Sequence, residues 1–267
     1  MPDLGQEPLS SPNSAAVDLW LIATETVETP VFNALKSALS TGEQAQLQRI
    51  RLPAAQRQFV LSRGCLRYLL SRYIQQSPSS LTFAYGPRGK PALCPHRHGA
   101  IPVFNLSHSG SRLLIGISIA PQVRAIGVDI EALRSVNRLP GLCRRCLTLA
   151  EAQTVLALEP PQADHRFLRY WTGKEAWLKA QGLGIADSMQ TLELSLGPQE
   201  LPPVLSSALS SVTITAPSGP ESDGALYQWQ PETGYLAAIA VQSHSHTAHS
   251  FHRQQTNPAA LVASPSA

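Results

Sequence analysis

The stretch Trp171–Ile185, WTGKEAWLKAQGLGI, sets an adjacent Lys174–Glu175 pair and a further lysine, Lys179, among two tryptophans and three glycines. Read as a helix, it brings Trp171, Glu175 and Lys179 (i, i+4, i+8) close to one face, with Leu168 and Leu178 beside them. Lys174 and Trp177 fall elsewhere on that helix. A Glu–Lys pair four residues apart can be an ordinary surface contact worth a few tenths of a kcal/mol. Here the neighbours are tryptophans and leucines, in a chain that is only 15% charged. Charges in such a setting should be partly desolvated, which is costly unless they meet a metal ion or a phosphate. Gly182 suits the end of the helix as a C-cap residue.

A second stretch supplies candidate metal ligands. In Ile126–Glu131, IGVDIE, period-two alternation turns Ile126, Val128 and Ile130 toward a core and Gly127, Asp129 and Glu131 the other way. Two carboxylates at i and i+2 on one strand face repel each other unless a cation lies between them. Hard oxygen donors without histidine or thiolate fit Mg²⁺, which is usually held by one or two carboxylates plus substrate phosphates. The glycine beside them is expected to leave open space. Glu175 would complete a three-carboxylate set, and Lys179 would reach a metal-bound phosphate. An exposed strand end with two solvated acids is the alternative reading.

The rest of the chain sets bounds. At 267 residues it can close one large core or two smaller ones. A hydrophobic content of 43% is ordinary for a globular protein, and a net charge of +3 is too small to indicate nucleic acid. The absence of a long apolar run and of a basic, apolar leader leads us to expect a cytoplasmic protein without a membrane span. Cys143 and Cys146 have C-x-x-C spacing but lack further zinc ligands or a thioredoxin-like context, so the spacing is read as coincidence.

Residues 1–15, rich in Pro, Ser and Gly, and residues 243–267, which carry His244, His246, His249 and His252, are expected to be disordered. Residues 197–224 read as a long loop with one short strand at SVTITA. Helical spacing is expected over Gln44–Gln75, from about Ala150, and over Asp164–Gln181. Short strands are expected at VDLWLIAT, LTFAYG, PVFNLSH, LLIGISI, AIGVDIE, LELSLG, LYQWQP and YLAAIAV. This order predicts an α+β fold made of a pseudo-two-fold pair of similar halves, residues 16–122 and 123–242. Each half would be a small, mainly antiparallel sheet packed with helices, with the site at the interface.

Two turns carry further ligands. YGPRGKPAL (Tyr85–Leu93) presents Arg88 and Lys90 on a Gly/Pro turn that permits close backbone approach. FNLSHSG (Phe104–Gly110) delivers Ser107 and His108 at a strand end. It lacks the strand–elbow–helix setting of a serine nucleophile, so polar ligands to phosphate fit better.

Together these stretches resemble the Sfp-type 4′-phosphopantetheinyl transferases. That family carries G-[IV]-D-[IV]-E, matched by Gly127–Glu131, and W-x-x-K-E-[AS]-x-x-K, matched by Trp171–Lys179. It also carries a G-K-P turn, matched at Gly89–Pro91, an F-N-[IL]-S-H-S-G strand at Phe104–Gly110, and an arginine-bearing early helix matched by RQFVLSRGCLRYLL. The likeness runs over residues 16–242 and is weakest in residues 197–224.

The resemblance implies coenzyme A as donor, Mg²⁺ as cofactor, and as acceptor a serine on an acyl or peptidyl carrier protein of fatty-acid, polyketide or nonribosomal-peptide synthesis. It implies that Asp129, Glu131 and Glu175 hold the metal, with Glu175 also taking the serine proton. Lys179 would steady the diphosphate, and His108 with Arg63 or Arg57 would hold the 3′-phosphate. Lys90 and Ser107 would border the nucleotide. A monomer is expected. The basic run Ala132–Ala150, with Arg134, Arg138, Arg144 and Arg145 and with Leu133, Leu139 and Leu142 between them, reads either as a solvated basic loop or as a docking surface for the acidic helix of a carrier. The competing readings are a non-catalytic CoA-binding or carrier-docking module and a metal-dependent nucleotide phosphohydrolase.

Overall fold

Strand β1 (Ala16–Ala23) alternates between two interiors: Trp20 and Ile22 join one apolar cluster, while Val17, Leu19 and Leu21 join another. That alternation organises the molecule, which a computed structural model describes over residues 16–86, 89–94, 101–183, 189–197, 201, 209–215, 224–243 and 249–263. The first interior lies between a four-stranded sheet and helices α1 (Thr29–Ser37), α2 (Thr41–Arg49) and α3 (Pro53–Ile74). The sheet order is β11 (Ser250–Thr256), β1, β5 (Arg112–Ser118), β4 (Val103–Ser109).

A five-stranded sheet follows, ordered β6 (Val123–Ala132), β10 (Tyr235–Ser243), β9 (Gly224–Trp229), β8 (Ser210–Thr215), β7 (Glu193–Ser195). Helices α4 (Leu139–Cys146), α5 (Leu149–Leu156) and α6 (Gln162–Gln181) pack on one face of it. The second interior of β1 joins the sheets: Val17, Leu19 and Leu114 meet Ile126, Val128, Ile130 and Ile239. A two-stranded hairpin, β2 (Phe83–Tyr85) and β3 (Pro91–Leu93), completes the first half of the chain. Pairing is antiparallel throughout except for β1 with β11. The expected α+β class with mainly antiparallel sheets is what the structure has.

Several expectations are corrected. The single helix over Gln44–Gln75 is two, because the chain turns extended at Ile50 and restarts with Pro53 in the first turn of α3, where its missing N–H costs nothing. Helices α1 and α4 lie outside the expected set. The run from Leu139 reads in sequence as a basic loop because of Pro140 and Gly141, yet proline is tolerated in a first helical turn. The tail after residue 243 is not disordered over residues 249–263. Strand β11 pairs in parallel with β1, from Ala16↔Ser250 to Ile22↔Thr256, and α7 (Pro258–Ala263) buries Leu261 completely. His252 Nδ1 lies 3.0 Å from Asp18 Oδ1, and Arg72 donates to the Leu261 carbonyl at 3.0 Å. Backbone pairing with a partner remote in sequence, not an apolar face of its own, holds this segment. The expected disorder of residues 1–15 lies outside the described residues, as do Arg88, His244, His246 and much of the loop between 197 and 224.

Candidate active site

The site begins with a backbone contact. A Cβ built on Gly127 of β6 would fall 2.1 Å from the Ala176 carbonyl oxygen and 2.4 Å from the Ala180 nitrogen of α6. Only a residue without a side chain lets helix and strand approach this closely. The space the sequence suggested beside Gly127 is therefore not open; α6 fills it. The approach lays Glu175 and Lys179 along Asp129, on the face opposite the core residues Ile126, Val128 and Ile130. Lys179 Nζ stands 2.7 Å from Asp129 Oδ1 and 3.9 Å from Glu175 Oε2.

The second wall is β4. Both β4 and β6 are edge strands of their sheets, and an edge exposes unpaired backbone groups. Here side chains cover them. Asn105 Oδ1 accepts from the Val128 N–H at 2.9 Å, and Ser109 Oγ accepts from the Ala132 N–H at 3.0 Å. Ser107 Oγ donates to Asp129 Oδ1 at 2.7 Å, and Ser109 Oγ to Glu131 Oε2 at 2.9 Å. Alternate residues of FNLSHS thus face β6 while His108 stands on the open side. Asn105 and Ser109 are absent from the candidates drawn from sequence, although strand alternation puts them on the same face as Ser107.

Lys90, expected to border the nucleotide, has its ammonium engaged by the backbone. It lines the cavity, but its ammonium donates to the carbonyls of Ile126, Lys179 and Ala180 at 3.1, 2.6 and 3.4 Å. It ties the end of α6 to the β6 edge, a favourable position for a cation at a helix C-terminus. Burial lowers its pKa to about 8.

These walls enclose a cavity of about 890 Å³. It gathers Arg63, Lys90, Ser107, His108, Asp129, Glu131, Glu175 and Lys179, with Trp171 beside them. Arg57 is not among its lining residues: its guanidinium lies over the Phe32 ring at 5.6 Å. Arg67 is buried, held by Glu43 at 2.7 Å and by the carbonyls of Pro78 and Leu81. Arg63 is the α3 arginine that lines the cavity. Its guanidinium lies 5.8 Å from the Phe59 ring and 5.5 Å from the Tyr85 ring, and its buried Nη1 has no hydrogen-bond partner.

Electrostatics in the cavity follow from burial. Glu175 is 3% exposed. Desolvation, then the neighbouring Asp129 charge, pushes its carboxyl up to about 7 against the pull of Lys179. Desolvation also raises Asp129, with Lys179 and Ser107 opposing it. His108 is lowered, first by desolvation and then by the Lys179 ammonium.

The donor set suits a hard divalent cation: three carboxylates and no thiolate, with Asp129 Oδ2 buried and unpartnered. Among the described residues no three acidic, His or Cys side chains stand as a formed coordination set. Asp129 Oδ1 is turned to Ser107 and Lys179, and Glu131 Oε2 to Ser109 and Arg134.

The charge crowded into α6 thus has two destinations. Lys174, next to Glu175, points away from the cavity and is fully buried, bound to Glu151 and to the Met189 and Cys146 carbonyls. Glu151 is the N3 residue of the α5 capping box with Thr148 and also accepts from the Leu194 N–H at 2.8 Å. The T-x-x-E spacing before an apolar run is the signal that could have found it. Cys143 and Cys146 are unpaired and buried, and burial pushes the Cys143 thiol up to about 11.

Known proteins are similar to this chain. A family model described as the 4′-phosphopantetheinyl transferase superfamily matches residues 125–217. The 4′-phosphopantetheinyl transferase HetI of Nostoc sp. is 35% identical over 228 residues, 85% of this chain and 88% of that protein. The 4′-phosphopantetheinyl transferase AcpT of Escherichia coli K12 is 36% identical over 117 residues, 43% of this chain and 55% of its own. Among solved structures, a holo-(acyl-carrier-protein) synthase from Bacillus anthracis in complex with CoA (3′,5′-ADP) aligns at a TM-score of 0.35 and 18% identity, over 46% of this chain and 98% of that one. With a relative this similar over most of both lengths, the chain belongs to the 4′-phosphopantetheinyl transferase family.

Proposed function

We propose that the protein transfers the 4′-phosphopantetheine group of coenzyme A to a serine hydroxyl of an apo acyl or peptidyl carrier protein, with Mg²⁺ as cofactor and 3′,5′-ADP as the second product. The observation that carries this reading is one cavity lined by a carboxylate trio, by Lys179 and by Arg63, whose buried Nη1 lacks a partner. A diphosphate joined to a second phosphate matches that layout.

Asp129, Glu131 and Glu175 would hold the metal, which supplies neutralisation of the diphosphate charge. Lys179 steadies the diphosphate from the α6 side, helped by the Ser107 hydroxyl. Arg63 and His108 take the 3′-phosphate; Arg63 offers a guanidinium whose buried Nη1 lacks a partner. Lys90 keeps α6 against β6 and borders the nucleotide without donating to it. The serine oxygen attacks the β-phosphorus as the bond to the bridging oxygen breaks, and the serine proton passes to Glu175, directly or through water. Positioning and charge neutralisation supply the acceleration.

Carrier modification read by intact mass tests the assignment. Chelation should abolish it and added Mg²⁺ restore it. Asp129→Ala should remain folded and lose transfer; full transfer by that variant would contradict the metal assignment.

A further inference from the structure

The strand carboxylates already carry cations supplied by the chain. Lys179 takes Asp129, and Arg134 takes Glu131: Arg134 Nη1 donates to Glu131 Oε2 at 2.7 Å and to the Ala132 carbonyl at 3.0 Å. The two sit in different surroundings. The Arg134 side chain is 53% exposed, against 15% for Glu131. Arg134 also lines a second cavity, of about 720 Å³, with Asp164 and His165. Arg134 therefore touches a carboxylate of the proposed metal site and also borders a neighbouring hollow lined in part by Asp164, whose Oδ1 accepts from the Val136 N–H at 3.1 Å.

We infer that Arg134 is a built-in counter-cation that controls metal loading, holding Glu131 in the metal-free protein and giving up that carboxylate when a divalent cation binds. The inference rests on the metal assignment above. Two opposed roles are open to a cation here. It could orient Glu131 for the metal, as partners of ligating carboxylates often do, or it could compete with the metal for the same charge. Orientation does not need it, because Ser109 Oγ donates to the same Oε2 at 2.9 Å. Competition does: a guanidinium within hydrogen-bond distance of a ligand oxygen repels a divalent ion twice as strongly as a monovalent one at the same place. Exposure keeps the effect modest and sensitive to salt. It also lets the side chain leave without disturbing the core.

The test is Mn²⁺ binding by the full-length protein without nucleotide, followed by the electron paramagnetic resonance signal of the free ion. Arg134→Gln should bind Mn²⁺ roughly three- to ten-fold more tightly than the parent. Arg134→Lys should stay near the parent. The advantage of the glutamine variant should shrink as ionic strength approaches about 1 M, where screening acts over about 3 Å. Equal or weaker Mn²⁺ binding by Arg134→Gln would overturn the inference and leave the metal site standing. Failure of the parent and the variants to bind Mn²⁺ even with coenzyme A present would overturn the metal assignment itself.

Discussion

Gly127 and Ala176 touch through their backbones: a Cβ on the glycine would lie 2.1 Å from the alanine carbonyl oxygen. No rotamer adjustment relieves a clash between a Cβ and a helix backbone, so Gly127→Ala must push α6 away from β6. Overpacking of this kind costs roughly 1–3 kcal/mol. Because α6 carries Glu175 and Lys179 and β6 carries Asp129, transfer should fall about a hundred-fold or more, well beyond what the stability loss explains. Urea denaturation and steady-state kinetics on the same preparation check this; a stable, active alanine variant would show that the contact does not set the site.

Glu175 gives a pH dependence of stability with a defined sign. Its carboxyl is raised to about 7 in the folded chain, above its unfolded value of about 4.3. The folded state therefore binds this proton more tightly. Stability from the group is fully present below about pH 4 and is lost as pH rises through about 7. In metal-free buffer, Glu175→Gln should match the parent near pH 4 and exceed it at pH 8 by an amount on the order of 2 kcal/mol. Denaturant titrations at the two pH values decide it, and a glutamine variant that is weaker at pH 8 goes against the burial argument.

Lys174 and Glu175 are neighbours with different tasks. Lys174→Met strands Glu151 in the core and should cost about 3–5 kcal/mol. Glu175→Gln should leave the fold intact and remove transfer. Thermal unfolding beside activity separates the two; a fully stable Lys174→Met protein would mean the buried pair is not structural.

Arg63→Ala should reduce kcat/KM for coenzyme A about ten- to a hundred-fold, the range for losing a charge-assisted hydrogen bond. It should do much less to dephospho-coenzyme A, which lacks the 3′-phosphate. Arg57→Ala should be close to neutral, because its guanidinium rests on Phe32 instead of lining the cavity. Equal losses for both donors would place Arg63 elsewhere in binding.

Arg144 and Arg145 stand exposed on α4, while Leu139 and Leu142, expected to give apolar contact between the arginines, are partly buried against the core. Reversing both arginines to glutamate should raise KM for the carrier, leave KM for coenzyme A nearly unchanged and flatten the salt dependence of the reaction. A matching loss in coenzyme A binding would assign them to the nucleotide.

The parts of this architecture legible in sequence are those written in short-range periodicity. The alternation of Ile126–Glu131 and the i, i+4 spacing of Trp171, Glu175 and Lys179 each put the right side chains on the right face. What stays hidden depends on distant partners. Asn105 and Val128 are 23 positions apart, and Asp18 and His252 are 234 apart. Nothing local to SFHRQQT marks it as a strand, since its side chains are mostly exposed and its hydrogen bonds go to β1. Lys90 reads as a ligand because its turn is Gly/Pro-rich, and only the tertiary approach of α6 to β6 shows its ammonium closing over carbonyl groups.

The most direct measurement combines two readouts on one reaction of the protein with Mg²⁺, coenzyme A and an apo carrier protein: the intact mass of the carrier and the amount of 3′,5′-ADP. The account predicts one phosphopantetheine gained per carrier, an equal quantity of 3′,5′-ADP released, and neither when the carrier serine is replaced by alanine. Release of 3′,5′-ADP without a gain in carrier mass, or a carrier left unmodified beside intact coenzyme A, would contradict it.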